Sequence, residues 1–144
     1  MKTLSLALAA VIGLTACSTA LASNEWKTLG TSAGTVFTDT AGMSLYTFRE
    51  DAPGVSNCNE GCVGAWPPFL AGADAQERGA WTIITRADGS RQWALNDQPL
   101  YYWVGDQAPG DVTGDGVGGV WDLARPAVAA PREENGSGGG GYSY

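Results

Sequence analysis

The chain has 144 residues, 44% apolar and 16% charged: enough apolar mass for one folded domain and too few charges for a disordered chain. A net charge of −7 with only 8 Lys and Arg argues against nucleic acid or an anionic lipid surface as partner. Histidine is absent, which removes Ser-His-Asp and Cys-His nucleophile pairs, HExxH zinc hydrolases and a His-ligated c-type haem.

Met1-Lys2 precedes an apolar run over residues 4–14 and then small residues, the layout of a secretory signal. The run is too short to cross a bilayer as a helix. Two processing sites follow it. Leu14-Thr15-Ala16-Cys17 resembles the lipobox of bacterial lipoproteins, in which the cysteine becomes the acylated first residue. Ala20-Leu21-Ala22 is an A-x-A site for cleavage before Ser23. The lipobox fixes four positions directly after the apolar run and is the more specific pattern. It makes residues 1–16 the signal and Cys17 the lipidation site. The chain is then exported and held at a membrane of the cell envelope by acyl chains. Ser18 after the cysteine resembles outer-membrane sorting, for a lipoprotein facing the periplasm or the surface. Residues 17–25 read as a tether, residues 26–126 as the folded domain, and the Gly-rich residues 127–144 as a flexible tail.

Strand signals dominate the folded part. Thr35-Val36-Phe37-Thr38 and Ser44-Leu45-Tyr46-Thr47-Phe48 flank Asp39-Thr40-Ala41-Gly42, which predicts a hairpin with a Gly-bearing turn. Residues 81–85 and 91–95 flank Ala87-Asp88-Gly89-Ser90, a second hairpin on an Asp-Gly turn. Asn96-Asp97-Gln98-Pro99 then leads into Leu100-Tyr101-Tyr102-Trp103-Val104, another run of strand formers. Only residues 60–66 and 73–78 suit a helical turn or two. The expectation is an all-β single domain of short antiparallel strands with minor helix.

A repeat underlies these elements. Leu45, Tyr46, Phe48, Asp51, Gly61, Gly64 and Trp66 recur at Leu100, Tyr101, Trp103, Asp106, Gly116, Gly119 and Trp121, always 55 residues on. Two copies are too few for a solenoid. They predict two similar strand–turn–strand units, about residues 35–70 and 91–125, facing each other across one core. In each unit, Tyr46 with Phe48 and Tyr101 with Trp103 share a strand face. Each Asp opens a Pro-Gly turn, where its carboxylate can accept backbone N–H groups. Two roles are open for the pairs Tyr46/Asp51 and Tyr101/Asp106: a polar site beside an aromatic wall, or core rings with a turn-capping Asp.

Three further patterns bear on function. Cys58 and Cys62, in an exported chain, read first as a structural disulfide, with a redox-active or copper-binding pair and free thiols as alternatives. Asp111, Thr113, Asp115 and Asp122 fall at positions 1, 3, 5 and 12 of a calcium loop with Gly116 at 6. The match is weak: Thr is a poor third ligand, and Asp stands where a bidentate Glu belongs. Otherwise no cofactor is implied. Six tryptophans could stack sugars, but a β domain of this size needs large side chains for its core.

Together the twin Tyr-x-aromatic-x-x-Asp motifs, Cys58-x-x-x-Cys62 before Ala65-Trp66-Pro67-Pro68, Thr85-Arg86-Ala87-Asp88-Gly89, Pro99-Leu100-Tyr101-Tyr102 and Gly116-Val117-Gly118-Gly119-Val120-Trp121 resemble a known family. It is that of bacterial predicted lipoproteins with a Yx(FWY)xxD motif, the secreted repeat of unknown function. The resemblance covers about residues 34–124 and implies an exported, often lipid-anchored module with no established activity. Members of that family often carry His after the Gly-Gly-Val-Trp run, where this chain has Asp122. The expected function is non-enzymatic binding or scaffolding of an envelope ligand or protein. The alternatives are a periplasmic redox or metal-handling protein using Cys58 and Cys62, and a calcium-stabilised glycan-binding module.

Overall fold

The computed structural model describes residues 24–127, so the signal, Cys17, most of the tether and nearly all of the tail lie outside the described residues. Seven short strands run in chain order: β1 (Trp26–Thr31), β2 (Gly34–Asp39), β3 (Tyr46–Phe48), β4 (Trp81–Thr85), β5 (Arg91–Leu95), β6 (Gln98–Pro99) and β7 (Trp121–Leu123). Every pairing is antiparallel. A 3₁₀ turn at Val117–Gly119 is the helical element among the described residues. The domain is all-β, as its β-branched and aromatic runs require.

The Asp-Gly hairpin forms as expected, with Trp81 opposite Leu95 and Thr85 opposite Arg91. The first hairpin forms over a shorter stretch. The turn at residues 39–42 is present, closed by Gly42 N–H to Asp39 O at 3.1 Å and by Met43 N–H to the Asp39 carboxylate at 2.9 Å. Thr38 bridges Ser44, with Leu45 N–H to Phe37 O and Asp39 N–H to Met43 O both at 3.0 Å, while the longer ladder of β2 is with β1, which lacks the strand signature because it is an edge strand covered on one side only. Residues 59–66 form consecutive hydrogen-bonded turns and residues 72–75 one more, without becoming regular helix. Gly61, Gly64 and Pro67 interrupt the first stretch, and neither is long enough to offset helix nucleation.

The centre of the molecule is a four-segment sheet in the order Leu123, Tyr46, Tyr101, Pro68. Its segments come alternately from the second copy, the first, the second and the first. Tyr46 and Tyr101 exchange both backbone bonds at 2.9 Å, the reciprocal pair of an antiparallel ladder. Outward from that pair the bonds repeat by copy. Arg49 N–H to Val120 O (2.8 Å) matches Val104 N–H to Ala65 O (3.1 Å), and Ala124 N–H to Leu45 O matches Phe69 N–H to Leu100 O, both 2.8 Å. The sheet frays on one side because Pro67 has no N–H to donate, where the second copy has Asp122.

Reciprocal contacts of this kind are the mark of an isologous, twofold relation, here between copies within one chain. The repeat also reaches further back than the sequence motifs suggest. Trp26 and Trp81, again 55 residues apart, stack face to face with centroids 3.9 Å apart and planes 4° off parallel. Trp66 and Trp121 do the same at 3.8 Å and 5°. Three residues thus each meet their own counterpart: Trp26 with Trp81, Tyr46 with Tyr101, Trp66 with Trp121. They define the local twofold axis.

Alternation along the central segments divides the core. Leu45 and Leu100 point into a cluster with Phe37, Phe69, Trp81 and Trp93. Tyr46 and Tyr101 point the other way, toward Val36, Cys58, Trp66 and Trp121.

Candidate functional site

The motif residues meet on the Tyr side of the central sheet, and they meet crosswise. Tyr46 O–H donates to Asp106 Oδ2 at 2.6 Å, and Tyr101 O–H donates to Asp51 Oδ2 at 2.7 Å. The pairs expected within each motif, Tyr46 with Asp51 and Tyr101 with Asp106, are therefore not the ones made. Within each motif a turn separates the two residues, closed by Asp51 N–H to Phe48 O and Asp106 N–H to Trp103 O, both 3.1 Å, and each Tyr bonds the other copy's Asp instead.

Each Asp also caps its own turn. Asp51 Oδ1 accepts Asn57 N–H at 2.7 Å. Asp106 Oδ1 accepts Thr113 N–H at 2.9 Å and the Thr113 hydroxyl at 2.7 Å. Asn57 and Thr113 stand 56 apart rather than 55, because Gln107 lengthens the second turn by one residue. The turns then latch across the copies: Gly54 N–H donates to Asp97 O at 2.7 Å, and Gly110 N–H to Gly42 O at 3.0 Å. Gly42 holds φ +95°, and a Cβ there would lie 3.0 Å from the Pro109 side chain, so this latch needs glycine.

The aromatic partners are crossed too. Phe48 stacks on Trp121 at 4.3 Å, and Trp103 lies over Trp66 at 4.3 Å. With the Trp66–Trp121 pair they form one stack, Phe48, Trp121, Trp66, Trp103, whose half-buried ends are the motif's variable aromatic position. Tyr46 and Tyr101 stand edge-on to Trp66 and Trp121 at 5.4 and 5.2 Å. Burial first, reinforced by the facing carboxylates, pushes both phenols far above their ordinary range, so they stay protonated donors.

The two ends of this lock are not equivalent. At the Asp106 end the Tyr46 oxygen also accepts Gly114 N–H at 3.2 Å, and Gly114 is seated against Trp66, Trp103 and Tyr46 with no room for a Cβ. At the Asp51 end a hydroxyl and a cation join in. Ser56 Oγ lies 2.7 Å from the Tyr101 hydroxyl, and Arg86 Nη1 donates to Ser56 Oγ at 2.9 Å. Arg86 is 6% exposed, and its guanidinium reaches Gln92 Oε1 at 2.6 Å, Cys58 O at 2.8 Å and Asn59 Oδ1 at 3.5 Å. Arg86 belongs to neither of the exposed ion pairs, Arg49–Asp122 and Arg125–Asp115. Its charge is met by neutral oxygens, with Asp51 at the far end of the chain of hydroxyls. Burial lifts the Asp51 carboxyl above the ordinary carboxylate range, against the pull of Asn57 N–H, Tyr101 and Arg86.

Cys58 and Cys62 are joined in a disulfide with Cα atoms 5.2 Å apart, the first of the sequence alternatives for them. The calcium-loop positions are committed separately. Asp111 accepts the N–H groups of Gln107 and Ala108, Thr113 serves Asp106, Asp115 accepts Leu123 N–H, and Asp122 pairs with Arg49. Among the described residues no group of three or more His, Cys, Asp or Glu could hold a metal ion. Cys17 lies outside the described residues. Sequence reasoning missed Ser56 and the role of Arg86, and it missed the Trp26/Trp81 pair, although the same offset of 55 would have found it.

Two copies of one β unit, folded into each other about a local twofold, make this an internally duplicated β domain. A family model described as secreted repeat of unknown function matches it twice, over residues 27–69 and 82–125, more than half of the chain. The chain belongs to that family. The two matches begin one residue after Trp26 and Trp81, so the unit of the family is the unit of the pseudo-symmetry. No curated protein and no solved structure matches the chain.

Proposed function

We propose that the chain is an exported, lipid-anchored envelope module that works by binding or scaffolding a partner rather than by catalysis. The observation that carries this is the placement of the motif. Tyr46 and Tyr101 are fully buried, and with Asp51 and Asp106 they spend their polar atoms on joining the copies. The residues that define the repeat are thereby its skeleton, which suits a rigid module presented at the envelope. Membership in a family of secreted repeats supports export, and the lipobox at residues 14–17 supports anchoring at Cys17.

In a lipoprotein-processing host the mature protein should begin at a diacylglyceryl Cys17 and stay with the membranes, and Cys17→Ser should release it. Intact mass after extraction reads this directly. A mature form starting at Ser23, without added lipid, would reject the anchored reading.

A further inference from the structure

In a duplicated fold, whatever obeys the symmetry builds the fold, and whatever breaks it calls for another explanation. Three departures lie together at the Asp51 end. The disulfide joins Cys58 and Cys62, where the second copy has Thr113-Gly114 and Val117. That second loop shares two of the first loop's turns without a covalent link. Cys62 N–H to Asn59 O (3.0 Å) is matched by Val117 N–H to Gly114 O (3.2 Å), and Ala65 N–H to Cys62 O (3.1 Å) by Val120 N–H to Val117 O (3.3 Å).

The second departure is Arg86, the buried cation that holds the Cys58 carbonyl. The third is a cavity of about 440 Å³ lined by Asn59, Glu60, Val63, Arg86, Ala87 and Asp88, opening beside the cysteine loop. The two sulfurs are also unequally placed, since Cys58 is fully buried while Cys62 is only partly so.

We propose that, beyond its binding role, Cys58–Cys62 is a stoichiometric thiol–disulfide exchange site that oxidises a partner protein bearing an exposed dithiol. A partner thiolate attacks Sγ of Cys62, the accessible sulfur, and the Cys58–Cys62 bond breaks. Cys58 leaves as a thiolate on a residue whose carbonyl the Arg86 guanidinium holds at 2.8 Å, and a nearby cation favours the thiolate and speeds its departure. The partner's second thiolate then attacks its own sulfur in the mixed disulfide and frees Cys62. Two electrons and two protons pass from the dithiol to Cys58 and Cys62, and the partner is left as a disulfide. Glu60 and Asp88 at the mouth favour a partner whose rim around the dithiol is basic.

The test uses the purified exported protein, in which an acylated or removed Cys17 contributes no thiol. Dithiothreitol in native buffer should reduce Cys58–Cys62 while tryptophan fluorescence stays native, at a rate insensitive to sub-denaturing urea. A rate that rises with urea in step with global unfolding marks a sealed structural bond and overturns the proposal. Single variants check the order of attack: Cys58→Ser should react with 5,5′-dithiobis(2-nitrobenzoate) at least tenfold faster than Cys62→Ser. Equal or reversed rates overturn it. In a glutathione buffer Arg86→Gln should shift the equilibrium about tenfold toward the disulfide and Arg86→Lys much less, and an unchanged equilibrium in Arg86→Gln contradicts the role given to the guanidinium. If Arg86→Gln does not fold, the urea series and the two serine variants still decide.

Discussion

Asp106→Ala should lower the unfolding free energy by about 3 kcal/mol, read as a shifted denaturant midpoint at unchanged slope. Asp106 is 7% exposed and accepts from the Tyr46 hydroxyl, the Thr113 N–H and the Thr113 hydroxyl. Removing it leaves the fully buried Tyr46 hydroxyl without its acceptor, at about 1–3 kcal/mol, and also breaks both bonds from the exposed Thr113, whose amide can turn to water. Asp51→Ala should cost clearly less, about 1–2 kcal/mol. Asp51 is less buried, Asn57 N–H is exposed to water, and Ser56 stays beside the Tyr101 hydroxyl. From the repeat alone the two costs would be equal. Burial makes them differ.

Arg86→Ala should be at least as damaging, about 3 kcal/mol or more. It strands Gln92 Oε1 and the Cys58 carbonyl and opens a hole beneath the cysteine loop. Gln92 then loses the partner that orients its amide toward Leu100 O, which it reaches at 2.7 Å. The change should also be visible in pH dependence. The Asp51 carboxyl titrates above its unfolded value because burial outweighs the groups that stabilise its charge, Arg86 among them. A raised carboxyl binds its proton more tightly folded than unfolded. Its contribution is therefore complete below the unfolded pKa and is lost as pH rises through the folded one. Relative to Asp51→Asn, the wild type should lose stability as pH climbs from the ordinary carboxylate range upward. Weakening Arg86 should carry that loss to higher pH, because the cation's pull on the carboxylate is gone. Denaturant midpoints collected across acid to neutral pH check both.

Much of the fold was legible because local chemistry and tertiary structure agree. The Asp-Gly turn at residues 87–90 and its β-branched flanks need no distant partner to be recognised as a hairpin. The constant offset of 55 likewise announced a duplicated unit. What was not legible is how the copies combine. Tyr46 and Asp51 sit five residues apart in one motif, and only the antiparallel exchange between Tyr46 and Tyr101 shows that each Tyr serves the other copy's Asp. β1 was hidden for a related reason. Its Trp26 gains its meaning from Trp81, a contact that periodicity within six residues cannot express. Arg86 was silent because a lone Arg after a strand reads as solvated surface, and its burial depends on Ser56, Gln92 and the cysteine loop closing over it.

The crossed lock is tested most directly by double-mutant cycles on the four motif residues, using Tyr→Phe and Asp→Ala in denaturant melts. Tyr46/Asp106 and Tyr101/Asp51 should each show a coupling of about 1 kcal/mol or more, since each single change already breaks the shared bond. Tyr46/Asp51 and Tyr101/Asp106, the pairs within a motif, should be additive to about 0.5 kcal/mol. Coupling inside the motifs with additivity across them would show that each copy closes on itself, and would contradict an interlocked fold.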